Sequence, residues 1–380
     1  MKAPTSPNAK KIYRLFLAVT IAFLLGIIAL IALGKGARCG PLFVALFASF
    51  AIYVRGSETL KGFAFTIWIF TGVAASMFYP FPFQQWGTYK LIRLIEPLMM
   101  IIMFGMGTTM SVRDFTQVFL MPRGVIIGLV LQFTIMPLVG FTLATTFGFP
   151  PEVAAGVILI GCVPSGLASN VINYIAGSNL ALSVTVTAFN TIISPILTPT
   201  WMKFLAGHFV PIDFTKMMIA VIKITLIPIA AGLLFNRFMH GRAKWLNRLL
   251  PAVSMGGIVF IIVVITASGR DQLLTVGLLL LGAVMIHNGA GSLLGYWGSR
   301  LLGLDERSCR TVAIEVGLQN GGMASALAIT VLKSSSAALA PAIFGPWMNI
   351  SGSVLANWWR SRPAQDKPKS RAISGNARAT

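Results

Sequence analysis

Polar and charged positions divide this chain into a series of long apolar runs. Runs of about 20 residues with few or no charges recur from Tyr13 onward, and roughly 20 apolar residues are what a helix needs to cross a hydrocarbon core. The runs predict helices near 13–33, 39–55, 60–80, 91–110, 123–147, 152–176, 179–205, 215–236, 249–268, 272–299, 309–332 and 337–359, twelve spans in all. The second is the shortest and follows Gly36 and Gly40 closely. The first has a basic start in Lys10, Lys11 and Arg14. Its apolar run outlasts the roughly 7–15-residue core of a cleavable signal, and no A-x-A site follows, so it is read as a retained span. The fold class that follows is an all-α membrane protein.

The pattern also repeats. Gly166-Leu167-Ala168-Ser169 recurs as Gly322-Met323-Ala324-Ser325, an offset of 156 residues. The same offset lays the spans near 60, 91 and 123 on those near 215, 249 and 272, so that five spans match five later ones. An odd number of spans per half makes the halves opposite in orientation, and inverted repeats are a transporter signature. Chance similarity of small residues in apolar helices is the plain alternative. On the repeat reading, residues 1–56 are an N-terminal extension with one or two extra membrane helices. Residues 57–360 are the main unit, with repeat one at about 60–205 and repeat two at about 215–360. Residues 361–380 are a polar, basic, disordered tail suited to anionic lipid.

Composition agrees with a membrane setting: 56% of the 380 residues are apolar and 11% charged, against roughly 25% charged in soluble domains. The net charge of +20 does not point to nucleic acid, because the basic residues cluster between apolar runs and at both ends. With twelve spans and the N-terminus inside, 21 Lys and Arg fall on the cytoplasmic side and 8 on the other. That bias obeys the positive-inside rule and puts both termini in the cytoplasm. Cys39, Cys162 and Cys309 are isolated, as are His208, His240 and His287, so neither disulfides nor a transition-metal site is expected.

Of ten acidic residues, nine fall at span ends, in loops or in the tail; Glu315 alone lies well inside a span. An ionisable group at that depth costs at least about 2.5 kcal/mol and is functional by default. A protonated carboxyl, or one paired with Lys223, is the structural alternative. Glu315-Val316-Gly317-Leu318-Gln319-Asn320-Gly321-Gly322 places three polar side chains and three glycines in mid-membrane. Glycine there invites an unwound turn with free carbonyls, which with a carboxylate suit a hard cation such as Na⁺. The matching span, Gly161-Cys162-Val163-Pro164-Ser165-Gly166-Leu167-Ala168-Ser169-Asn170, breaks at Pro164. Two broken helices at equivalent places point to a transport site, and the positive ends of their second halves attract an anion. Ser183 and Thr187 share a helical face, although such hydroxyls commonly bond back to the i−4 carbonyl. Gln132 is an amide in an apolar span that also reads as interhelical glue.

These motifs resemble the bile acid:sodium symporter family. The resemblance rests on Gly161 to Asn170, Asn179-Leu180-Ala181-Leu182-Ser183-Val184 and Glu315 to Asn320. Met103-Phe104-Gly105-Met106-Gly107, His287-Asn288-Gly289 and Asn349-Ile350-Ser351-Gly352-Ser353 add to it, and it covers about residues 60 to 360. It implies a ten-helix core of two inverted five-helix repeats, arranged as panel and core domains with two broken crossing helices, plus the N-terminal two-helix hairpin. It implies a sodium-coupled symporter of a small organic anion working by alternating access. One sodium site would use Ser169, Asn170, Ser183, Thr187 and Glu315. The other would use the side chains of Gln132, Glu315 and Gln319 with the carbonyls of Val316 and Leu318. The anion would lie near Pro164, Gly166, Leu167, Asn320, Gly321, Met348 and Asn349. Bacterial relatives often carry Thr where this chain has Leu167 and His where it has Met348, so the substrate does not carry over with the ions. Bile acid-like, pantoate-like and keto acids are the candidates, with sodium and membrane lipid as the other partners. No cofactor is expected beyond the coupling ions. The implied place is the bacterial inner (plasma) membrane. A membrane enzyme acting on lipid would need a nucleophile or metal cluster that the Glu315 motif lacks. A non-transporting receptor of organic anions and a passive channel are the other readings.

Overall fold

The computed structural model describes residues 7–57, 60, 63–111, 116–239, 244–362 and 364. The basic tail beyond residue 364, Arg113, Asp114 and Arg242 lie outside the described residues. Each of the twelve apolar runs is helical over most of its length. In chain order the helices are α1 (Pro7–Ala32), α2 (Gly40–Arg55), α3 (Ala64–Phe78), α4 (Ile95–Thr109) and α5 (Pro122–Thr146). Then come α6 (Pro151–Cys162), α7 (Ala168–Ala176), α8 (Leu180–Trp201) and α9 (Phe214–Met239). The last are α10 (Lys244–Ser268), α11 (Arg270–Leu301), α12 (Glu306–Gly317), α13 (Gly321–Thr330) and α14 (Ser335–Arg360). Two runs are thus each split, into α6 with α7 and α12 with α13. A two-stranded hairpin, Gln85–Trp86 with Tyr89–Lys90, sits between α3 and α4.

Local chemistry marks the helix ends. Pro41, Pro122 and Pro151 occupy first turns, where a missing N–H is harmless. Side chains of Asn179, Asp213, Asp305, Asn320 and Ser334 accept hydrogen bonds from first-turn amides. Proline alone does not break these helices. Pro195 removes a donor inside α8, and the carbonyl of Thr191 that would have met it accepts Ser194 Oγ at 2.8 Å instead. A π-turn at Ile222–Leu226 interrupts α9.

Packing grades from a bare edge to a dense interior. α1 packs on α2 and α2 on α3. Thr20 Oγ1 donates to Ser49 Oγ at 2.9 Å between the first two. The outer face of α1 exposes Leu15, Leu24, Leu25 and Ile31, a surface for hydrocarbon rather than water. At the other extreme every residue of α6 from Val153 to Cys162 is buried. So is every residue of α12 from Ser308 to Gly317. Close approach demands small residues there: a Cβ at Gly156 would strike the Ala337 carbonyl of α14. The first halves of the two split runs therefore lie in the best-packed part of the molecule, whereas α7 leaves Val171 and Tyr174 exposed.

Candidate functional site

The breaks meet each other. Between α6 and α7 the chain is extended through Val163 and Pro164, and between α12 and α13 through Leu318 and Gln319. The two extended pieces pair in antiparallel fashion at Ser165 and Gln319. Gly166 N donates to Leu318 O at 3.0 Å, and Asn320 N donates to Pro164 O at 2.9 Å. Backbone groups freed by the breaks thus satisfy one another, as buried peptide groups must. A Cβ at Gly166 would lie 2.9 Å from Gln319 O, so the crossing needs glycine at that point.

Glu315 lies beside this crossing, on the last turn of α12, fully buried. Its carboxylate accepts four hydrogen bonds. Ser183 Oγ donates to Oε1 at 2.6 Å and Asn173 Nδ2 at 3.3 Å. Ser165 Oγ donates to Oε2 at 2.7 Å and Thr187 Oγ1 at 2.8 Å. The donors come from α7, α8 and the first break. Asn170 Oδ1 joins them, 2.7 Å from Ser183 Oγ and 3.4 Å from Thr187 Oγ1. Ser169 Oγ lies 3.4 Å from Thr187 Oγ1. Glu315, Ser169, Asn170, Ser183 and Thr187 are therefore brought together. Lys223 is not its partner; it pairs with Glu96 at 2.7 Å, half exposed to the surroundings.

This oxygen nest fits a sodium ion. The ligating atoms available are hydroxyl, carboxylate and amide oxygens, the hard donors that such cations take. They also hold more acceptors than hydrogens. Ser183 has one hydroxyl hydrogen, with Glu315 Oε1 and Asn170 Oδ1 both within 2.7 Å of its oxygen. Only one can receive that hydrogen, and a cation would relieve the other.

The second set is arranged differently. Gln132 of α5 is fully buried. Its Nε2 donates to Gln319 Oε1 at 2.8 Å and to Val163 O at 3.1 Å. Gln319 Nε2 donates to Val316 O at 2.6 Å and toward Gln132 Oε1 at 3.4 Å. The carbonyl of Leu318 accepts from Gly166 N. Gln132, Gln319, Val316 and Leu318 are thus adjacent, with their oxygens engaged by amide donors.

A cavity of about 530 Å³ opens against the nest. Gly105, Met106, Thr108 and Thr109 of α4 and Leu250 and Ser254 of α10 form one wall; Leu167, Asn170, Val171 and Tyr174 line the other with Leu180, Val184 and Thr187 of α8. Among the described residues the lining carries no charged side chain. Asn170 and Thr187 belong to both cavity and nest. Of the residues expected near an anion, Leu167 lines the cavity. Pro164, Gly166, Asn320 and Gly321 form the crossing behind it. Met348 is buried on α14, and Asn349 Nδ2 turns back to Gly345 O at 2.8 Å; neither lines the cavity.

Sequence reading passed over Ser165 and Asn173, which touch Glu315 directly, and Asn288. Asn288 Nδ2 donates to Gly317 O at 2.8 Å, and its Oδ1 accepts from Ser351 Oγ at 2.6 Å. It thereby ties the broken end of α12 to α11 and α14. The available signal was position: Ser165 is inside the Pro164–Gly166 break, and Asn173 is one turn beyond Asn170.

Comparison with known proteins shows the family. Residues 96–276 match the model of the Sodium Bile acid symporter family. The chain is 40% identical over 309 residues to "Uncharacterized sodium-dependent transporter YocS" of Bacillus subtilis (strain 168), covering 81% of this chain and 94% of that protein. It is 33% identical over 320 residues to "Probable sodium/metabolite cotransporter BASS1, chloroplastic" of Arabidopsis thaliana, covering 83% and 78%. The rice (Oryza sativa subsp. japonica) protein of the same name is 32% identical over 308 residues, covering 80% and 74%.

Proposed function

The chain belongs to the sodium bile acid symporter family, as an integral multi-pass membrane protein of a sodium-dependent transporter class, and from that premise we propose that it carries a small organic anion with sodium by alternating access. The observation that carries the reading is the shared wall. Asn170 and Thr187 face the cavity while Thr187 also holds the buried Glu315 carboxylate. An ion at Glu315 and an anion in the cavity would therefore sense the same two side chains, which is the physical basis of coupling.

The anion is a carboxylate with an apolar body. The cavity is apolar over most of its wall, with Thr108, Thr109, Asn170, Tyr174, Thr187 and Ser254 as neutral polar exceptions. Its negative charge is met by the positive N-terminal end of α7, which starts beside Leu167, and by the nearby sodium. The antiparallel pairing of the two breaks supports two inverted five-helix repeats, about 60–205 and 215–360, since an axis in the membrane plane would cross two such segments in opposite directions. The cavity lining includes Met110 at the end of α4 and Leu250 near the start of α10. On the charge bias those ends would face the cytoplasm, which would make the conformation an inward-facing one.

The test is uptake into vesicles of purified protein under an imposed sodium gradient. Carboxylates with an apolar body are expected to accumulate, with polar small acids carried more weakly and potassium unable to replace sodium. Accumulation that ignores the sodium gradient, or robust uptake of a cation, would overturn the reading.

A further inference from the structure

The hydrogen-bond directions around Ser165 lead to a residue outside both ion sets. Ser165 Oγ gives its one hydrogen to Glu315 Oε2 at 2.7 Å, so toward any other neighbour it can only accept. That neighbour is Asn190 of α8, whose Nδ2 donates to Ser165 Oγ at 3.2 Å. The direction fixes the amide, with nitrogen toward Ser165 and Oδ1 turned away. Asn190 is fully buried, and its Oδ1 has no hydrogen-bond partner among the described residues. Buried amide oxygens are almost always satisfied, so an orphaned one beside an anionic centre calls for a ligand. Asn190 is three residues beyond Thr187 and on the same helical face. The cavity lining on α8 ends at Thr187, so Asn190 stands on the far side of the nest from the cavity.

We propose that Asn190 Oδ1 is a direct sodium ligand that extends the Glu315 centre along α8 away from the cavity. The inference rests on the sodium-symporter reading above. It needs no side chain to let go of a partner. Ser165 keeps its bond to Glu315 and its bond from Asn190, and Oδ1 offers the ion a lone pair that no described group uses. Thr187 and Ser165 both bond Glu315 Oε2, which makes that oxygen the link between the cavity side and the Asn190 side. An ion held there is shielded from the cavity and exposed to whatever opens on the opposite face, a place where an ion would pause when the cavity is closed.

Two substitutions separate a ligand from a mere support for Ser165. Asn190→Leu removes both amide functions while keeping the side chain's branching. Asn190→Asp keeps an oxygen in the Oδ1 position but can no longer donate to Ser165. The measurement is melting temperature of the purified full chain against sodium concentration, without substrate and with potassium as control. Asn190→Leu is expected to raise the sodium midpoint about tenfold or more, the effect of losing ~1.4 kcal/mol of binding. Asn190→Asp is expected to keep the midpoint at or below the wild-type value. Should Asn190→Leu fail to fold, Asn190→Ala takes its place in the same comparison. If the aspartate variant weakens sodium as much as the apolar one, Asn190 acts only through Ser165 and the ligand assignment falls. A wild-type midpoint in the apolar variant overturns it too, while leaving the symporter reading intact; a wild type blind to sodium sinks both.

Discussion

The Glu315 nest and the Gln132–Gln319 pair lie on the same crossing, yet their oxygens are held by different donors. In the nest the donors are mostly hydroxyls from Ser165, Ser183 and Thr187, with Asn173 the amide among them. A hydroxyl can swing its hydrogen aside and offer a lone pair without moving a heavy atom. In the glutamine pair both oxygens face amide nitrogens, and Val316 O is capped by Gln319 Nε2. An amide presents its oxygen only by turning over. The nest is therefore close to a cation-ready arrangement, while the glutamine set must first reorganise. On the proposed sodium reading the contrast predicts an order: sodium would enter the nest first, and the second set would form as Gln319 releases the Val316 carbonyl.

The largest effect expected is that of Glu315→Gln. It preserves shape and one oxygen while removing the only anionic group of the crossing among the described residues. Coulomb attraction is strong where the dielectric is low, and no helix dipole supplies a full charge. The rise in melting temperature with sodium should vanish, although the protein still folds. Persistence of the wild-type sodium response in this variant would remove the basis for placing any ion at Glu315.

The depth of Glu315 was legible in the sequence because a lone acid in an apolar run is costly to keep there. The breaks were legible too, from Pro164 and from the Gly317 to Gly322 run. Pro195 and Pro346 show why proline by itself was not enough, since both stay inside helices. What could not be read was partnership across the fold. Gly166 N meets Leu318 O over a separation of about 150 residues, and periodicity says nothing about such pairs. Ser165, Asn173 and Asn190 escaped because a hydroxyl or amide in a membrane helix looks the same whether it bonds back to its own helix, as Thr191 does to Thr187 O at 2.8 Å, or reaches an acid on another. The cavity wall was the least legible part, because it is made largely by neutral residues of α4, α7, α8 and α10 that have meaning only once packed together.

The contrast between the two oxygen sets predicts unequal single deletions. Thr187→Ala takes a hydrogen bond from a buried carboxylate, and such bonds are worth about 1.5–3 kcal/mol. It also removes a nest oxygen, so the sodium midpoint should rise by about tenfold or more. Gln132→Ala removes an oxygen that is already occupied by Gln319 Nε2. Its loss should affect the later ion alone, reducing the steepness of the sodium response more than its midpoint. Isothermal titration of both variants with sodium checks the order. A larger midpoint shift for Gln132→Ala than for Thr187→Ala would reverse it.

The smallest effect should come from the N-terminal hairpin. α1 and α2 contribute no residue to the nest, the glutamine pair or the cavity. Their interior contacts run from α1 to α2 and from α2 to α3, with Phe43 stacked on Phe78 at 5.7 Å between ring centroids and Phe47 near Phe70 at 5.9 Å. Those rings cover the outer face of α3, not its inner one, which faces α10 through Gly72 and Val263. A chain starting at Ser57 would expose that outer face to lipid, where aromatic and aliphatic side chains carry little cost because acyl chains are as apolar as the helix they replace. The shortened protein should insert and lose some thermal stability, while its sodium midpoint stays within about twofold of the full chain, a change worth roughly 0.4 kcal/mol. The decisive reading is the midpoint and not the melting temperature itself, since packing losses lower the latter without touching ion affinity. A midpoint moved tenfold in a well-folded truncation would mean that the hairpin sets the position of α3 and α10 against the crossing, and would make it part of the transporting unit rather than an added edge.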